Sequence, residues 1–511
     1  MAAPLRHALT LLAWGAVGML YLPLIPGAGL LLAPAFSAEH WRALLGDPQL
    51  PQAVAATLVS TLIAVAGALL IALSAIAACW PSRQWRQLSS RLPLLLAVPH
   101  VAFATCALLL FAEGGALYRW LPFLSASPDR YGVGVGLTLA LKESGFLLWA
   151  IYALLGEKRL AEQAMVLQSQ GYGRWQCLAW LVLPQLMPQL RIVLLATTAW
   201  TLSVVDVAQV LGPGNPPTLA VLAWQWLSQG DDAQQAKGAL ACLLLLAMLA
   251  VLTLLALTLW RGWRRRVPDF SGVRHPRPRA LPGRFFAFFL PLCGLLCVIV
   301  LALTSRLTAP SPESLLNSLW LGALSALLGA LLCLAWLELG HPRLNTLLWL
   351  PLILPALPLV AGQYQLALQG VLDGQWLTVL WGHLLWVFPW MLFVMAPAWR
   401  RIDPRLTLVA RTLGWRRGRI FWQVLCPQML RPLLSALAVG FSVSIAQYLP
   451  TLWLGGGRIT TLTTDAVALS SGGDTALLAA EALWQLLLPT AVFLLIALLL
   501  RLAGHYRQGL R

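Results

Sequence analysis

Residues 171–185 read GYGRWQCLAWLVLPQ, and residues 414–428 read GWRRGRIFWQVLCPQ. At an offset of 243, Gly171 falls on Gly414, Arg174 on Arg417, Pro184 on Pro427 and Gln185 on Gln428. The register persists to Gly212 and Gly455, Gly214 and Gly457, and the Thr-Leu pairs at 218–219 and 461–462. Upstream, Gly-Ala-Leu-Leu at 67–70 recurs at 329–332 with an offset of 262, the difference mostly absorbed by a longer loop near 112–131. One plan has been used twice, as transporters are commonly built.

The composition says where the plan is used. Of the 511 residues, 59% are hydrophobic and only 10% charged, against about 45–50% and about 25% in ordinary soluble domains. So few charges cannot cover a water-exposed surface, which excludes a cytosolic enzyme, a disordered protein and a secreted module. A membrane-spanning helix needs roughly 20 mostly apolar residues. Twelve such runs are present: 8–32, 54–80, 92–111, 132–155, 190–211 and 238–260, then 285–303, 315–339, 347–368, 376–399, 433–454 and 482–500. The first has some likeness to a signal peptide, with Arg6 ahead and Ala-Pro-Ala at 33–35 behind, but its length and the spans that follow favour a retained helix. The expected fold is an all-α polytopic membrane protein of about twelve transmembrane helices. Residues 1–260 form one six-helix half and 285–511 the other. The linker 261–284 between them, RGWRRRVPDFSGVRHPRPRALPGR, is basic and Pro-rich.

Charge orients the chain. The net charge is +17, with 35 Lys and Arg against 18 acids. With the amino terminus inside, 28 basic residues fall in inside segments and six outside, and Lys142 lies within a span. The positive-inside rule therefore places both termini in the cytoplasm. Basic residues set between apolar runs report topology, and no nucleic-acid partner is expected. The eight cysteines lie in apolar runs or inside loops and form no disulfide or zinc pattern.

Two inside loops are long, roughly 156–189 and 400–432, and both carry the duplication. Each has a helix-compatible stretch, Leu160–Gln170 or Leu406–Leu413, before a glycine that can end it in a left-handed turn. A second amphipathic stretch follows and ends at the proline, where the next helix is expected to start. A duplicated cytoplasmic loop suggests a docking surface used twice.

These residues resemble the EAA loop of bacterial binding-protein-dependent ABC transporter permeases. The family pattern is E-A-A-x3-G with an L-P thirteen residues after the glycine. Pro184 and Pro427 stand at that spacing, as Leu183-Pro184 and Cys426-Pro427. The glutamate position holds Met165 in one loop and Leu408 in the other, and the alanine positions hold Val166-Leu167 and Val409-Ala410. The fused layout is similar to permeases of the iron(III) and thiamine uptake type. The resemblance implies that Met165, Leu167, Gly171 and Arg174, with Leu408, Ala410, Gly414 and Arg417, form two ATPase-coupling loops. Each is expected to be a mainly apolar knob with basic flanks. It also implies an ABC ATPase partner, two copies of it, a periplasmic solute-binding protein, a small-molecule substrate and residence in the lipid bilayer of the inner membrane.

The chain lacks the chemistry of a motor. No Gly-Lys occurs, so no P-loop can form, and ATP is expected on a separate subunit with no cofactor in this chain. Seven scattered histidines offer no H-E-x-x-H or close ligand set, so neither a metal site nor an enzyme is expected; His100 and His383 read as polar packing or pore-lining. Ionisable residues within spans are costly and mark function or packing: Lys142 and Glu143 in the fourth, Asp206 in the fifth. Asp206 and Gln209, with Gln447 in the corresponding segment of the second half, suggest a polar path near the outer mouth. The rival reading is a twelve-helix ion-coupled secondary transporter. It is disfavoured because the loop PSRQWRQLSSR at 81–91 has no acid.

Overall fold

A computed structural model describes residues 3–508 apart from 86, 89–97, 113–114, 116, 118–128, 156–157, 213, 215, 268–282 and 342–343. Among the described residues there are helices and turns and no strand. Ten helices are long and apolar enough to cross a membrane. The other two expected spans, the third and the ninth, are not continuous. Of the third, α5 (His100–Phe111) is described and follows a bend at Val98 and an extended Pro99; the run's first residues lie outside the described residues. The ninth is broken into Asn345–Leu348, Leu350–Ile353 and α14 (Ala356–Gln369). Proline explains both breaks. It disfavours the helical region for its predecessor, and Leu354, before Pro355, is extended at ψ 150°.

The order of elements repeats. Before the first series come α1 (Ala3–Tyr21), α2 (Leu24–Leu32) and α3 (Ala38–Leu45). The first series continues with α4 (Leu50–Cys79), α5, α6 (Val133–Leu154), α7 (Lys158–Ser169), α8 (Leu183–Ser203), α9 (Asp206–Leu211), α10 (Leu219–Leu227) and α11 (Asp232–Arg264). After α12 (Gly283–Ser305) the second runs α13 (Pro312–Leu339), α14, α15 (Trp376–Arg400), α16 (Pro404–Thr412), α17 (Cys426–Ile445), α18 (Leu449–Gly455), α19 (Leu462–Leu469) and α20 (Thr475–Gln508). The fifth span of each series ends sooner than the sequence suggested. Both α8 and α17 stop before a non-helical stretch, 204–205 or 447–448, and α9 and α18 are separate. Most of the 261–284 linker lies outside the described residues.

Small residues let the long helices approach. On α4, Ala56, Ser60, Ala64, Ala68 and Ala72 recur every four residues, and all are buried. On α13 the same ridge is Ser314, Ser318, Gly322, Ala326 and Ala330. In a membrane, where lipid tails are as apolar as leucine, such close packing rather than burial from water drives helix association. Each of these helices also starts a neighbour: Thr57 Oγ1 of α4 accepts from Leu219 N at 2.8 Å, and Ser318 Oγ of α13 from Leu462 N at 2.9 Å. Each last helix ties to the start of its ridge. Lys237 pairs with Asp47 at 3.1 Å, and the buried Glu481 accepts from Ser311 N at 2.6 Å and Ser314 Oγ at 3.1 Å.

The leading helices cross over. Helix α1 packs on α13 and α15 and α2 on α14, while α12 packs on α4, α5 and α20. Gly27 and Gly362 meet at the α2–α14 crossing, where a Cβ on Gly362 would lie 2.3 Å from Pro23 O. Outward rows such as Leu254, Leu255 and Leu259 on α11, and Leu494, Leu495 and Leu498 on α20, stay exposed. Water would not tolerate so much apolar surface; a bilayer covers it.

Candidate functional site

The two duplicated loops have one geometry. Helix α7 ends where Tyr172 N donates to Leu167 O at 3.1 Å and Gly171 N to Gln168 O at 3.1 Å. Helix α16 ends where Trp415 N donates to Ala410 O at 3.0 Å and Gly414 N to Arg411 O at 2.9 Å. This is the Schellman pattern, and it needs a left-handed residue at the glycine. Gly171 has φ 97° and Gly414 φ 74°. Beyond the turn, the chain does not stop at Pro184 or Pro427 as the sequence suggested. Single helices run over Arg174–Ser203 and Arg417–Ile445. Just before each proline the helix widens into a π-turn, Cys177–Val182 or Phe421–Leu425. The wider turn accommodates a ring that lacks an N–H and crowds the carbonyl four residues back.

The loop residues split by face. Leu167 and Ala410, equivalent in the repeat, are buried against the body of the protein. Met165 and Leu408, the next equivalent pair, are 53% and 61% exposed, joined by Val166, Val409 and Leu413. These side chains make an exposed apolar patch on each loop. The basic flank differs from expectation at two places. Arg174 Nη1 donates to Ala78 O at the end of α4. Arg417 forms a two-pronged ion pair with Glu338 at the end of α13, Nε to Oε1 at 2.6 Å and Nη2 to Oε2 at 2.9 Å.

A cavity of about 680 Å³ lies between the two series. Its wall includes Asp206 and Gln447 but not Gln209, and it takes in Lys142, Glu143 and His100. Asp206 therefore shares a chamber with Lys142 and Glu143 from the middle of α6. His100 Nε2 pairs with Glu143 Oε1 at 2.7 Å, and the His100 ring lies 4.2 Å from that of Trp200. Phe146 meets Trp390 edge-on at 5.6 Å across the chamber. His383 does not line it: the ring is buried between Ser444 Oγ at 2.8 Å and Thr451 Oγ1 at 2.9 Å, as polar packing.

The cavity wall is where regular helix fails. Val98 and Pro99, Leu352 and Leu354, Val204 and Val205, and Gln447 and Tyr448 all line it. Non-helical backbone at membrane depth is tolerated where it lines a cavity, and transporter binding sites are built from interrupted helices. The sequence reading allowed His100 a pore-lining place but missed the aromatic wall. The signals were there: Trp386 lies at offset 243 from Glu143, Trp390 one turn further, and both breaks carry X-Pro. Among the described residues no group of His, Cys, Asp and Glu could hold a metal ion.

Residues 338–506, which contain the second duplicated loop, match the family described as the binding-protein-dependent transport system inner membrane component. The chain is similar to the inner membrane ABC transporter permease protein YnjC of Escherichia coli (strain K12), at 60% identity over 511 residues and the whole of both chains. No solved structure matches it.

Proposed function

The chain belongs to the binding-protein-dependent ABC transporter permeases, and from that premise we propose that its cavity is the translocation path and its two loops are the seats of two ATPase copies. Membership makes it a multi-pass inner-membrane transport subunit rather than an enzyme, and sets aside the ion-coupled alternative. The finer reading assigns each part a task. Residues 1–260 and 285–511 act as two halves around the chamber, with both termini in the cytoplasm. Met165 and Leu408 meet an ATPase groove, while Gly171 and Gly414 fix the angle at which each knob is presented. ATP is bound by that separate subunit, and a periplasmic protein delivers a small solute to the outer face.

One observation carries the path: each series breaks two helices, and all four breaks line the same chamber. Its volume lies within the range of sites for small organic ligands. Glu143 and Asp206 offer carboxylates and Lys142 an amine, among the rings of Trp149, Trp200, Trp386 and Trp390. These groups suit an organic solute with polar and flat parts.

The assembly is tested by co-expressing the chain with its ATPase and weighing the detergent-solubilised complex by native mass spectrometry. Two ATPase copies per chain are expected, with ATP hydrolysis in the complex and none by the chain alone. A single ATPase copy, or hydrolysis by the isolated chain, would overturn the reading.

A further inference from the structure

We infer that Arg174 and Arg417 are the joints through which motion of the two loops reaches the long core helices. They occupy equivalent places in the duplication, three residues after the turn glycine. Each reaches back to the cytoplasmic end of a ridge helix: Arg174 to the Ala78 carbonyl of α4, Arg417 to the Glu338 carboxylate of α13. The partners lie 96 and 79 residues away in sequence. A duplicated contact made with different chemistry indicates that the connection matters more than the atoms that make it.

Geometry makes these contacts stiff. The guanidinium of Arg417 engages both oxygens of Glu338, which fixes direction as well as distance. The Glu338 side chain is only 14% exposed and that of Arg417 36%, so the carboxylate is largely withdrawn from water while the guanidinium stays partly solvated. Arg174 donates into the carboxyl end of α4, where carbonyls lack helical partners and the helix dipole favours a cation. The knobs themselves are exposed and the ridges buried, so a rigid link is needed between them. The π-turns follow immediately, and such turns inside α-helices occur frequently at functional sites. The arginines are therefore positioning residues: they touch no solute, but they make the ridge follow the loop. The ridges in turn pack on α6 and on α15 and α17, which carry much of the chamber wall.

This inference rests on the reading that an ATPase drives the chamber, and the test separates the two. A cysteine is placed in the wall at Ser435, with the native chain and its eight cysteines as background. In the full transporter in proteoliposomes, its reaction with a membrane-impermeant maleimide is timed with and without ATP and vanadate. The parent should show at least a tenfold nucleotide-dependent change. Glu338→Gln keeps the shape of the side chain and removes its charge; it should keep ATPase co-purification and reduce the change at least fivefold. Arg174→Gln should do the same through α4. The exchange of Glu338→Arg with Arg417→Glu should restore most of the response, which a folding defect would not. If Glu338→Gln and Arg174→Gln respond like the parent, the joints are not joints. If they lose the ATPase instead, the arginines only hold the loop in shape and transmission falls. If the parent itself does not respond, the ATPase-driven reading fails and takes this inference with it.

Discussion

At Gly171 and Gly414 the backbone lies in the left-handed region, where a Cβ costs about 1–2 kcal/mol. No atom lies within 4 Å of a Cβ built on Gly414, so the penalty there is one of backbone conformation and not of collision inside the chain. Gly171→Arg and Gly414→Arg should accordingly leave insertion and expression near normal, each weakening ATPase co-purification and the pair nearly abolishing it. Gly272→Arg in the linker sequence should be silent in the same pull-down. A double variant that retains ATPase fully would reduce the loops to connectors. The turn glycines were legible because spacing to a proline identifies them. The Arg417–Glu338 pair was not, because nothing local in the sequence says which of many arginines turns inward. Glu481 was likewise hidden: a buried carboxylate accepting two hydrogen bonds at the start of α13. Glu481→Ala should destabilise the protein by about 1–3 kcal/mol through the groups it strands, seen as a lower unfolding midpoint in detergent.

Among the elements, long apolar runs translated into helices wherever proline allowed it. Ten of the twelve expected spans have a long apolar helix, although the fifth and eleventh are shifted, because a π-turn carries the helix through Pro184 or Pro427 and the break follows later. The third and ninth runs are not continuous helices, for a reason visible in their Pro99, Pro351 and Pro355, and hydropathy alone does not register that reason. The crossing of α2 and α14 supplies a further check. Gly27 N lies 2.8 Å from a Cβ built on Gly362, so Gly362→Leu overpacks a tight helix pair at about 1–3 kcal/mol. Thermal unfolding in detergent should fall for Gly362→Leu and hold for Gly18→Leu, which has open space around it. Equal midpoints for the two would mean that the crossing is loose.

For the whole molecule, the duplication predicted the architecture better than any single motif did. It accounts for two ridges, two turned loops, four helix breaks and one chamber between them. The crossover of α1, α2 and α12 was invisible, since sequence similarity between halves does not say which half a leading helix covers. Reporter fusions at Arg42, Asp232, Arg306, Asp373 and Asp474 should read as external, and at Gln84, Gln168 and Arg416 as cytoplasmic; an internal signal at Asp474 would invert the second half. The central claim is that the chamber opens to opposite sides of the membrane as the ATPase cycles. The most direct measurement is the sidedness of maleimide reaction at Ser435→Cys in the complete transporter. The account predicts reaction from one face in the resting state and from the other in the vanadate-trapped state. Reaction from the same face in both states would contradict it.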